Sequence, residues 1–170
     1  MTGKNGWLSN EDFANRVRLG TLPSIDLIIS DREGQILVGE RLNRPARGYL
    51  FVVGGSVQKN EDFYGEALPR ISQGETGIKL CRKDVQPMGL YRHIYDDNFS
   101  GTEFGTDYFA CGLKVIMPLS SAFVRETGER KQHGGFMWLD VPSLMNHNRV
   151  HENTKAYFEK DPKNLIFNAS

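Results

Sequence analysis

The sequence predicts an α+β fold in which a mixed β-sheet is flanked by helices. Three observations carry that expectation. Two runs rich in β-branched residues, Ser24-Ile-Asp-Leu-Ile-Ile-Ser30 and Gln35-Ile-Leu-Val-Gly39, are separated by Asp31-Arg-Glu-Gly34. Phe63, Ala67, Leu68 and Ile71 recur near a helical period. Further strand-like and helix-like segments follow, in the overall order strands, helix, strands, helix.

The elements are justified in turn. Ser9-Asn10-Glu11-Asp12 precedes Phe13, Ala14, Val17 and Leu19, which predicts a capped short helix with one apolar side. The two β-branched runs read as adjacent antiparallel strands joined by a hairpin in which Gly34 is available for positive φ. Tyr49-Leu-Phe-Val-Val53 reads as a third strand that stops at Gly54-Gly55. A helix follows and ends at Gly77; Pro69 requires it to start close to Glu66 or to kink. Residues 85–95 and 106–117 read as strands joined by the polar aromatic loop from Tyr95 to Gly101. Gly135-Phe-Met-Trp-Leu139 is a last strand, followed by helices near 141–146 and 152–159.

The chain of 170 residues shows no repeat, linker or low-complexity tract, so one domain over 1–170 is expected, with 1–20 as an N-terminal helical extension. A domain of this length buries about 70% of its unfolded surface and needs no disulfide or structural metal. Cys81 and Cys111 lack any CxxC spacing and read as buried free thiols, which fits a reducing cytoplasm. Twenty-one basic residues balance 21 acidic ones, which argues against nucleic acid and anionic membranes as partners. No apolar run approaches the ~20 residues of a bilayer span, and the start lacks the apolar stretch of a signal peptide.

The chemistry concentrates in two segments. Gly55-Ser-Val-Gln-Lys-Asn-Glu61, followed by Arg70-Ile-Ser-Gln-Gly-Glu75-Thr-Gly77-Ile78, resembles the Nudix box, a loop-helix-loop signature written G-x5-E-x7-R-E-U-x-E-E-x-G-U with U bulky and apolar. Eight residues rather than seven separate Glu61 from Arg70, so one extra residue near Tyr64-Gly65 has to be absorbed in the loop or first helical turn. The resemblance implies a Nudix-like α/β/α sandwich. Glu75 is the one carboxylate left at the usual metal-binding box positions, which points to a sparse site for a hard cation that keeps waters and substrate phosphates. A solvated surface helix is the plain alternative.

A narrower resemblance covers most of the chain. Ser9-Asn-Glu-Asp-Phe-Ala14, Leu37-Val-Gly-Glu-Arg41, Asn43-Arg-Pro-Ala-Arg-Gly-Tyr49, Tyr95-Asp-Asp-Asn-Phe-Ser-Gly-Thr102 and Lys131-Gln-His133 look like the GDP-mannose mannosyl hydrolase branch of the superfamily. In that branch water attacks the sugar anomeric carbon and the nucleoside diphosphate leaves. The resemblance implies a Mg2+ site, with Mn2+ as an alternative, made by Glu75, the Gly54 carbonyl and Gln132. It makes His133 the general base, in a loop suggested by the neighbouring Gly134-Gly135. Arg41 would contact the diphosphate, and Arg70 would position the catalytic carboxylate. Asp26, His93 and Tyr108 would contact substrate, unless Asp26 simply faces solvent, and Asp96, Asp97, Asn98 and Ser100 offer sugar-directed hydrogen bonds unless they build a capped turn. A homodimer is implied by analogy.

Three departures bear on activity. Ser56 stands where the branch usually has an arginine, Val53 replaces a proline, and the extra residue precedes Arg70. They keep two other readings open: a pyrophosphatase giving GMP and mannose 1-phosphate, and a catalytically silent nucleotide-sugar binding protein.

Overall fold

A computed structural model describes residues 8–101, 103–116 and 133–169. The first helix, α1 (Asn10–Leu19), starts where the sequence places it: Ser9 is the N-cap, and its hydroxyl accepts from the Asp12 N–H at 3.1 Å. Its apolar side is narrower than expected, since Val17 is buried while Leu19 stands in solvent.

Among the described residues eight strands follow: β1 (Leu22–Ile28), β2 (Ile36–Arg41), β3 (Leu50–Phe51), β4 (Val53–Ser56), β5 (Val85–Tyr95), β6 (Thr106–Val115), β7 (His133–Leu139) and β8 (Leu165–Asn168). Five form a mixed sheet in the order β4-β1-β6-β5-β8, with β1 parallel to β6 and the other pairs antiparallel. The other three form an antiparallel sheet, β3-β2-β7. The α2 helix (Leu68–Thr76) packs over β4 and β1, and α3 (Val141–Asn146) and α4 (Glu152–Lys155) follow β7. The mixed sheet flanked by helices is therefore present, with a second sheet beside it.

That second sheet corrects two expectations. The turn at Asp31 to Gly34 forms, with Gly34 at φ 79°, yet β1 and β2 pair only at its mouth, through Ser30 and Ile36, before entering different sheets. Likewise the segment 49–53 is two strands rather than one. The chain changes sheets at Val52, whose N–H is taken by the Thr154 hydroxyl at 3.2 Å, and Gly54-Gly55 continue as strand. Each half can then bury its apolar side chains in a different core. Ile25, Leu27, Val53, Val85 and Leu113 pack with Ile71 of α2 in the first core; Ile28, Val38, Leu50, Tyr91, Leu144 and Tyr157 pack in the second core.

The extra residue before Arg70 is accommodated by a π-turn at Phe63–Ala67, where the Leu68 N–H reaches the Phe63 carbonyl. Regular α-helix starts at Leu68, so Pro69 falls in the first turn, where its missing N–H costs nothing. Gly77, at φ 75°, ends the helix in the left-handed conformation, as its position in the sequence indicates. Towards the C-terminus, the helix expected over 152–159 is shorter: α4 gives way to a 3₁₀ turn at Ala156–Phe158, and the edge strand β8 has no counterpart in the sequence reading. Cys81 is exposed rather than buried, and Cys111 is half-buried in β6. Among the described residues, no helix is long and apolar enough to cross a membrane.

Candidate functional site

One face of the five-stranded sheet carries the polar site. Side chains alternate along a strand, so Tyr91, His93 and Tyr95 share a face of β5; Tyr108 is the register partner of His93, and Asp26 joins them from β1. Asp26, His93 and Tyr108 are thereby brought together as the sequence suggests. Asp26 is half-buried, its side chain 18% exposed: the Tyr157 hydroxyl donates to its Oδ2 at 2.8 Å, and His93 Nδ1 stands 3.7 Å away, outside hydrogen-bond range.

Glycines flank that carboxylate on both neighbouring strands. Gly54 on β4 and Gly112 on β6 are the two register partners of Asp26. A Cβ at Gly54 would run into the Ile25 carbonyl and stand 2.7 Å from Asp26 Oδ1; one at Gly112 would stand 2.7 Å from the Tyr157 ring. The first glycine makes room for the carboxylate and the second for its partner.

Burial sets the electrostatics. It pushes the Asp26 carboxyl up, and the nearby His93, the Tyr157 hydrogen bond and Arg41 only partly offset it. It also pushes the His93 imidazole down, with Asp26 opposing and Arg41 reinforcing the shift, so His93 is neutral near pH 7. His93 Nε2 is buried without a hydrogen-bond partner. An orphaned buried donor or acceptor of this kind normally awaits water or ligand.

A second cluster joins the two sheets. The Arg41 guanidinium lies over the Phe51 ring at 5.4 Å, and His151 stacks on the same ring at 4.6 Å. His151 also lies 5.4 Å from the Tyr95 ring. Its Nδ1 accepts from the Asn153 N–H at 3.2 Å, and burial brings its pKa down to about 4, with His93 and Arg41 reinforcing the shift. Sequence reasoning missed His151 and Tyr157, because neither lies in a motif; alternation along β5 is the only local signal that the aromatic face exists.

The remaining predicted residues fall as follows. Arg41 and His133 are register partners across β2 and β7, so His133 begins a strand rather than sitting in a loop. Gln132 lies outside the described residues, as does Met117 at the expected end of β6. Arg70 is engaged elsewhere: Nε and Nη2 clamp Glu61 at 2.6 and 2.8 Å, and Nη2 also donates to the Ser56 carbonyl at 2.9 Å. Those bonds hold the Glu61 carboxyl below its usual range and order the loop between β4 and α2. By these contacts Arg70 holds Glu61 and the Ser56 carbonyl in place.

In the loop after β5, Asn98 and Ser100 build a capped turn. Asn98 is fully buried; its Oδ1 accepts from the Ser100 N–H and hydroxyl and the Gly101 N–H, and its Nδ2 donates to the Phe104 carbonyl. Asp97 is tied to Arg44 and the Ala46 N–H, and Phe99 packs on Phe13.

As a metal site, the donors are sparse and hard. Glu75 is buried on α2, Gly54 offers a carbonyl on β4, and among the described residues no three His, Cys, Asp or Glu side chains come together. An all-oxygen set with one carboxylate fits a cation that retains waters and phosphate ligands, and does not form a closed protein cage.

Known proteins place this geometry. The NUDIX domain family model matches residues 20–160. The low-salt glycan biosynthesis protein Agl8 of Haloferax volcanii is 43% identical over 96 residues, 56% of this chain and 59% of that protein, so the match spans less than two thirds of its length. Among solved structures, the MutT NUDIX hydrolase of Burkholderia pseudomallei is similar with a TM-score of 0.64 and 21% identity, covering 81% of this chain and 95% of that one. A bifunctional NMN adenylyltransferase/ADP ribose pyrophosphatase of Francisella tularensis, complexed with AMP and a Mn ion, has a TM-score of 0.57 and 14% identity, over 85% of this chain and 42% of that one. With the family model matching residues 20–160, from the start of β1 through α4, the chain belongs to the NUDIX hydrolase family.

Proposed function

We propose that this NUDIX hydrolase cleaves GDP-mannose, or a related GDP-hexose, to GDP and free sugar by attack of water at the anomeric carbon. The observation that carries the reading is the pairing of Arg41 with His133 beside the sheet face that bears Asp26, His93 and Tyr108. Such a reaction needs a base near the sugar and cationic help for a leaving group that gains charge. His133 is the base in this reading, and Arg41 meets the diphosphate through its planar donor fork. Asp26, His93 and Tyr108 contact the sugar or nucleoside, with the orphaned His93 Nε2 offering one open polar position.

Glu75, the Gly54 carbonyl and Gln132 would hold Mg2+, or Mn2+, which when bound supplies charge stabilisation to the diphosphate. The glycan-biosynthesis role named for the Haloferax relative accords with a nucleotide-sugar substrate. The reading carries with it a cytoplasmic homodimer, which light scattering on purified protein tests.

The deciding experiment incubates the protein with GDP-mannose and Mg2+ in 18O water and identifies the products. GDP with label in mannose supports attack at carbon. GMP with mannose 1-phosphate, the label entering phosphate, replaces this reading with phosphoanhydride cleavage. Tight binding without product in either Mg2+ or Mn2+ replaces it with a silent binder. His133→Gln is expected to lower turnover by roughly 10²–10⁴-fold, the range for losing a general base. Unchanged turnover would remove His133 from the mechanism.

A further inference from the structure

Tyr157 reaches Asp26 across 131 residues of sequence, and its surroundings are arranged around that contact. The ring packs edge-on against Tyr91 at 4.6 Å and against His93 at 5.9 Å. It occupies the space that Gly112 leaves by lacking a side chain, while Gly54 leaves the space beside the other carboxylate oxygen. Oδ2 of Asp26 is therefore held by Tyr157, and Oδ1 lies on the side of Gly54, the residue named above as a metal-ligand candidate.

Stability alone is a poor explanation for this arrangement. Removing a carboxylate from water costs more than one hydroxyl hydrogen bond returns, and an apolar pair of the same volume generally serves a core as well or better. Here the half-buried Asp26 carboxylate loses part of its water, and His93 is buried beside it with Nε2 unsatisfied. Polar groups desolvated together and locked by a further shell are the arrangement expected where a polar ligand must be met in one orientation.

We propose that Tyr157 is a positioning residue, which holds the Asp26 carboxylate and packs the His93 ring so that the pair receives the hydroxyls of the sugar in a nucleotide-sugar. The proposal rests on the functional reading above for the identity of the ligand, and on the geometry of residues 26, 93, 112 and 157 for the role.

The test is Tyr157→Phe, which removes the hydroxyl and keeps the ring. Calorimetric titrations with GDP-mannose and with GDP are made in the His133→Gln background, so that bound sugar is not consumed. The expected result is a Kd for GDP-mannose weakened about tenfold, as for loss of one hydrogen bond to a charged group, with the Kd for GDP unchanged. Equal weakening for both ligands, or for neither, overturns the proposal, because a merely structural tyrosine would not discriminate between them. A crystal structure of the variant separates this from failure of the functional reading. Should the parent bind no GDP-mannose, that reading falls; an Asp26 carboxylate that turns away without the Tyr157 hydroxyl still upholds the positioning role, and an unmoved one overturns it.

Discussion

Arg70 shows at the level of one side chain how the box motif is used in this chain. Its guanidinium makes two bonds to Glu61 and one to the Ser56 carbonyl, while the Gln58 N–H donates to the same carboxylate. Replacing it by Met strands a half-buried carboxylate and frees the loop, which should cost about 2 kcal/mol in urea unfolding. The pH dependence has a definite sign. Glu61 has its carboxyl held below the ordinary 4.5, so the pair's contribution is complete above 4.5 and is lost as pH falls through the depressed folded value. The gap between wild type and Arg70→Met should therefore be widest near neutrality and close in acid; a gap that grew below pH 4 would contradict the assignment.

At the level of an element, the π-turn at Phe63–Ala67 explains how a box with one residue too many keeps its register. The wide turn takes up the extra residue before α2 begins, so Glu61 and Arg70 still meet across it. Deleting Gly65 should convert the π-turn to a regular one and leave the protein folded, at about 1 kcal/mol for the lost Asp62 cap on the Gly65 N–H. Deleting Ser72 should be far worse. It would rotate the rest of α2 by about 100° and carry Glu75 and Thr76 off their buried faces. Thermal melts by circular dichroism distinguish the two; equal loss would show that the turn is not where the insertion is absorbed.

For the whole molecule, the joint between the two sheets is the sensitive point. His151 stacks on Phe51 of β3, lies beside Tyr95 of β5, and caps α4 through a ring nitrogen that must be unprotonated to accept. Its pKa falls from 6.5 to about 4 on folding. Above 6.5 both states hold it neutral and stability is undiminished; between 6.5 and about 4 the unfolded chain binds the extra proton, so stability falls as pH falls. His93 is shifted in the same direction, so His151→Gln should flatten this slope without abolishing it. Unfolding free energies at a series of pH values check this, and an unaltered slope would show that His151 does not carry the effect.

Periodicity and turn chemistry are local properties, and they already specify α1 with its Ser9 cap, the runs that become β5 and β6, the end of α2 at Gly77, and the box with its extra residue. The motif positions also single out Asp26, Arg41, His93 and Tyr108, which meet at or beside one sheet face. Strand partners were not legible, because a β-branched run has the same pattern whether it pairs with its hairpin neighbour or with a distant strand. The division of β1 from β2, and of β3 from β4 at Val52, follows from filling two cores rather than one. Tyr157 and His151 enter the site for the same reason: packing brings the C-terminal turn onto the Asp26 face, and only the glycine gaps at 54 and 112, empty of meaning in one dimension, give the half-buried carboxylate and its partner somewhere to sit.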